Sequence, residues 1–76
     1  MYFSKNEMIE LNNGNKYLIV DTALLDDNAY YKIEKIENNN HTNNYYYITA
    51  INNEGKLYID FNISPEIESK LKEICY

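Results

Sequence analysis

At 76 residues the chain makes one domain, and a hydrophobic fraction of 45% fills one core with nothing left for a second. Twelve acidic residues against seven basic ones leave a net charge of −5. Every basic residue is Lys; an acidic chain without Arg is repelled by phosphate backbones and lacks the bidentate reader of phosphate and guanine, so no nucleic-acid partner is expected.

The lone cysteine, Cys75, rules out an internal disulfide frame and points to the reducing cytosol. MYFSKNEMIE shows no basic region followed by an apolar run, so no signal peptide is expected. No apolar stretch approaches the ~18 residues that span a bilayer, so a cytoplasmic chain without membrane contact is the expectation. There is no Trp, but there are nine Tyr. Abundant Asn, Lys, Ile and Tyr fit the codon bias of an AT-rich genome, which enriches Asn and Tyr without any site to maintain.

Met1 to Lys5 has no clear period and reads as a short lead-in. Glu7–Leu11 is a candidate edge strand. Asn13-Gly14 then signals a type I′ hairpin turn, with positive φ at both central residues. Lys16–Thr22 is the second strand; its Tyr17-Leu18-Ile19-Val20 run is apolar on both faces, which suits a central position. Ala23–Asn28 reads as a connection with Asp26-Asp27-Asn28 as its turn, and Leu24 and Leu25 plug an end of the core.

Ala29–Glu37 fits two patterns. Ala29, Ile33 and Ile36 at i, i+4 and i+7 allow a helix; Tyr31 and Ile33 on one face, with Ile36 displaced by a bulge, allow a strand. Aromatic and β-branched content favours the strand. Asn38–Asn44 reads as a mobile polar loop. Tyr45–Ile51 is a strand with Tyr45, Tyr47, Thr49 and Ile51 on one face and Tyr46, Ile48 and Ala50 on the other. Asn52 to Gly55 is a second hairpin turn.

Lys56–Cys75 carries the clearest signals. Leu57, Ile59, Phe61 and Ile63 alternate with polar residues, the period of a half-buried strand over Lys56–Ile63. Ser64 suits a helix N-cap and Pro65 the first helical position. Ile67, Leu71, Ile74 and Cys75 form one apolar stripe of a helix over Pro65–Cys75. Short connections make consecutive strands antiparallel neighbours. The expected fold is therefore α+β: one domain over residues 1–76, a five-stranded antiparallel meander, strongly twisted or partly barrel-like, curled around one C-terminal helix packed on it.

Candidate chemistry is sparse. His41, the only histidine, sits in the Asn-rich loop with no orienting partner in view, which argues against a catalytic or metal role. Cys75 lies at the C-terminal end of its helix, where the dipole raises a thiol pKa; it reads as a small core hydrophobe. Asp26-Asp27-Asn28 lacks the spacing of a calcium loop. Glu66–Lys70 and Glu68–Lys72 read as stabilising i, i+4 pairs on a solvated face. No phosphate loop, catalytic triad or Cys/His metal spacing is present, so no enzyme activity, metal or cofactor is expected.

One cluster is weighed as a binding site: Tyr30, Tyr31, Tyr45, Tyr46 and Tyr47, with Lys32 as a cation beside them. Pairing of their strands puts tyrosines on both sheet faces, one against the helix and one open as a patch. A tyrosine patch on an acidic chain suits a protein partner better than a nucleic acid.

The segment Asn13-Gly14-Asn15-Lys16-Tyr17-Leu18-Ile19-Val20-Asp21, followed by Ala29-Tyr30-Tyr31-Lys32-Ile33, resembles an NGxxYxVxD-type pattern of small uncharacterised proteins of low-GC Gram-positive bacteria and their phages. The resemblance covers most of the chain, implies a compact β-rich cytoplasmic protein, and transfers no site residues. The first expectation is a non-enzymatic protein-interaction module, such as a phage or mobile-element accessory protein or inhibitor acting on a host factor. The alternatives are a binder or sponge for a small nucleotide-like ligand, with tyrosine walls at an oligomer interface, and a self-associating structural subunit.

Overall fold

In the computed structural model, which describes residues 2–75, five strands and one helix follow one another. The strands are β1 (Met8–Glu10), β2 (Lys16–Leu25), β3 (Asn28–Glu37), β4 (Asn40–Asn53) and β5 (Lys56–Asp60); the helix is α1 (Pro65–Ile74). They form one antiparallel sheet in the order β1-β2-β3-β4-β5, a meander that curls into a half-barrel with α1 on one face. Ala29–Glu37 is a strand, as its β-branched and aromatic content favours.

Three connections are two-residue turns with positive φ at both positions: Asp26-Asp27 (51° and 65°), Asn38-Asn39 (51° and 61°) and Glu54-Gly55 (53° and 80°). Such turns match the twist of the strands they join. They correct two expectations. β2 runs on to Leu25, so Ala23 to Leu25 is strand rather than connection, and Leu24 is 62% exposed instead of plugging the core. Asn38–Asn44 is not a loop: its first two residues are a turn and the rest is the start of β4. At Asn13-Gly14 the geometry also differs from expectation. Only Gly14 has positive φ; its N–H donates to the Leu11 carbonyl, and the Leu11 N–H donates to the Asn15 carbonyl, which makes a longer turn with the glycine as its bulge.

The sheet curls around its own apolar face, not around the helix. Tyr17, Ile19, Tyr31, Ile33, Ile48 and Ala50 are buried together, with Phe3, Ile9, Leu11, Ala29 and Ile59 against them. The lead-in closes this core: the Tyr2 and Phe3 N–H groups both donate to Tyr31 Oη (2.9 and 3.4 Å), and the Phe3 ring meets Tyr31 edge-on at 5.1 Å. The opposite face carries Ala23, Tyr30 and Tyr47, and α1 lays Leu71 and Cys75 on them.

The helix starts where expected. Ser64 is the N-cap, its hydroxyl accepting from the Ile67 N–H at 3.3 Å, and Pro65 occupies the first turn. Leu71 and Cys75 are buried and Ile67 half-buried, but Ile74 is 45% exposed and falls outside the packed stripe. Glu68 pairs with Lys72 at 3.7 Å. β5 ends at Asp60, three residues before the expected Ile63. Asp60 Oδ1 accepts the Asn62 N–H at 2.8 Å, and the Ile63 N–H turns back to the Phe61 carbonyl at 3.0 Å. These local bonds outcompete the ladder and swing the chain away from β4 toward the helix.

Candidate binding groove

That early departure of β5 makes the site. β4 pairs with β5 only from Thr49 to Asn53, whereas toward β3 it pairs along Tyr45–Thr49 as well. Tyr45–Ile48 therefore has a strand on one side only. In an antiparallel strand alternate residues direct both their N–H and C=O to the same side, so this stretch presents backbone donors and acceptors outward.

Beside this edge lies a groove of about 560 Å³ lined by Lys32, Tyr45, Tyr46, Tyr47, Phe61, Ile63, Glu68 and Lys72. Four of the six residues singled out from the sequence meet here. Lys32 and Tyr47 are opposite one another across β3 and β4, and Lys32 Nζ lies 4.9 Å from the centre of the Tyr45 ring. Tyr45 and Tyr46 are 47% and 40% exposed. Tyr46 and Phe61 lie edge to face at 6.1 Å, and Tyr17 backs both from the core at 6.2 and 6.0 Å. The aromatic wall is thus braced and loses little freedom on binding. Tyr47 is half-buried against α1; burial pushes its phenol pKa up, with Cys75 and Glu68 adding to the shift.

The other two residues do not reach the groove. Tyr31 has no exposed surface and belongs to the core, so it cannot touch a partner. Tyr30 is half-buried under the helix. The single open tyrosine face expected from the sequence is instead split between the core, the helix interface and the groove. Phe61, Ile63, Glu68 and Lys72 were missed. Asp60 and Asn62 at the end of an alternating run were the available signal, since a carboxylate that can accept a nearby N–H tends to end a strand.

A second cleft, about 630 Å³, separates β1 from β5 at the unclosed seam of the half-barrel, with Phe3, Ile9, Leu11, Leu57, Ile59 and Phe61 among its lining. Cys75 is buried against Ala23 and Leu71; burial pushes its thiol pKa up, Asp21 adds to this and Lys32 opposes it.

His41 has the partner that the sequence did not reveal. Its Nδ1 lies 2.8 Å from Oε1 of Glu34, a residue only 4% exposed in the sheet. Glu34 Oε2 accepts the Asn43 N–H at 3.0 Å. The His41 hydrogen bond holds the Glu34 carboxyl below the usual carboxylate range; desolvation opposes this, and the Asn43 bond and the imidazole charge reinforce it.

Among the described residues no group of three or more His, Cys, Asp or Glu could hold a metal ion, and no helix is long and apolar enough to cross a membrane. No family model, curated protein or solved structure matches the chain.

Proposed function

We propose that the chain is a non-enzymatic protein-binding module that takes an extended segment of a partner along the free edge of β4. The observation that carries this reading is the departure of β5 at Asp60, which leaves one edge of Tyr45–Ile48 without a strand beside a braced aromatic groove. An added strand would satisfy the outward backbone groups, and its alternate side chains would rest on Tyr45, Tyr46 and Phe61. Charge supports the choice of place. The chain carries −5 overall, but the groove sets Lys32 and Lys72 against Glu68, so a partner is not repelled there. The Glu68–Lys72 pair is exposed and easily exchanged, which leaves Lys72 able to re-pair with a bound segment. A phage or mobile-element accessory protein that occupies a host factor requires no more than such a groove.

The test is selection of short random peptides displayed against the purified protein. Selected peptides are expected to bind the parent, to weaken about tenfold on Tyr45→Ala as a hot-spot aromatic should, and to lose binding when alternate peptide amides are N-methylated. Peptides indifferent to both changes would overturn the reading. The aromatic wall with two lysines also favours a second reading, a planar anionic ligand such as a nucleotide. Saturable nucleotide binding lost in Tyr45→Ala, with no peptide selected, would establish that instead.

A further inference from the structure

The Glu34–His41 pair is not part of the groove lining, although Glu34 faces Tyr45 across the ladder, and it is costly to build. Between Glu34 and Ile36 of β3 only Lys35 intervenes, but between their partners Tyr45 and His41 three residues do, Thr42, Asn43 and Asn44. The bulge puts Asn43 at φ 59°, unusual for a residue other than glycine, and buries a carboxylate in the sheet. Thr42 Oγ1 donates to the Lys35 carbonyl at 2.6 Å and accepts the Asn44 N–H at 3.2 Å, which fixes the bulge from its other side.

The result is a one-sided imidazole. A carboxylate only accepts, so His41 Nδ1 carries the hydrogen and, in the neutral ring, Nε2 carries the lone pair. The His41 side chain is 67% exposed while the carboxylate behind it is 5% exposed, and among the described residues no group hydrogen-bonds Nε2. A bulge needing only a structural acceptor is satisfied by the Asn43 N–H on Glu34; it does not require an aligned imidazole on the second oxygen.

We infer that His41 is a nucleophilic modification site, accepting a phosphoryl group at Nε2, with Glu34 as its positioning residue. The Nε2 lone pair forms the new N–P bond as the bond from phosphorus to its leaving group breaks. The hydrogen on Nδ1 stays in place, and the positive charge that the ring acquires is neutralised by Glu34 at 2.8 Å. With a zwitterionic phosphoramidate as donor the leaving group departs as ammonia, and no proton has to move.

The experiment is treatment of the intact protein with potassium phosphoramidate, followed by phosphorus NMR and mass spectrometry. His41 is the only histidine, so a single adduct is read without ambiguity. The folded parent is expected to give the Nε2 isomer alone, about tenfold faster than either Glu34→Gln or the parent in denaturant, the lower end of what is lost when the carboxylate behind a metal-bound imidazole is removed. Glu34→Gln keeps an oxygen for Asn43; should it fail to fold, the folded and denatured parent still decide the matter. Equal rates folded and unfolded, or an Nδ1 adduct from the folded protein, would overturn the inference.

Discussion

On one face of the sheet Tyr31, Ile33 and Ile48 are wholly buried; on the other, Tyr30 and Tyr47 stay half-exposed beneath the helix. The same two strands supply both sets, because successive residues of a strand point to opposite faces. The first face is closed by the curl of the sheet and by a lead-in pinned to Tyr31 Oη. The second is closed only where Leu71 and Cys75 reach it, and past Asp60 it opens into the groove. The difference separates stability from binding: the self-enclosed face holds the fold, and the partly covered face has area to offer a partner.

Substitutions on the two faces should separate in the same way. Ile33→Ala, in the enclosed core, is expected to cost about 3–5 kcal/mol, a large part of the stability of a small domain, as read by urea denaturation. Leu71→Ala, under the helix, should cost about 2–3 kcal/mol, since the partly open face can relax into the space. A Leu71→Ala variant as stable as the parent would mean that the helix is not fixed to the sheet. Tyr31→Phe keeps the ring but removes the acceptor of the Tyr2 and Phe3 N–H groups; a loss of about 1 kcal/mol is expected, with faster proteolysis at the lead-in.

Glu34 sharpens the comparison through pH. Its folded-state carboxyl lies below the ordinary range, so its contribution is complete above the unfolded value of about 4.3 and is lost as pH falls through the depressed one. Stability of the parent should fall across that acid window, and Glu34→Gln should flatten this part of the profile. The smallest effect is expected at Tyr45→Ala, within about 0.5 kcal/mol of the parent by denaturation while peptide binding is lost. A large loss of stability there would make Tyr45 core and remove the groove.

Much of the fold was legible because its signals are local. Ser64-Pro65 marks the helix start, and alternation along Tyr45–Ile51 gives the strand and its two faces. What escaped depends on partners far along the chain. The Asn-rich run after Glu37 is strand because Asn38 and Asn39 tolerate positive φ and because Glu34 receives His41 and Asn43 across the ladder. No window around His41 contains that carboxylate's burial. Similarly, Tyr31 and Tyr30 are equivalent by propensity; only the direction of curl decides which is core and which meets the helix. The groove was half legible: Tyr45, Tyr46, Tyr47 and Lys32 were singled out, but Phe61 and Lys72 join them only because Asp60 ends β5 early.

The most direct test of the account is amide hydrogen exchange along β4 with and without a selected peptide bound. The account predicts that the outward amides within Tyr45–Ile48 slow by about tenfold or more while those of β1 and β5 do not change. Protection confined to β1 and β5, at the seam of the half-barrel, or none on any backbone amide, would contradict it.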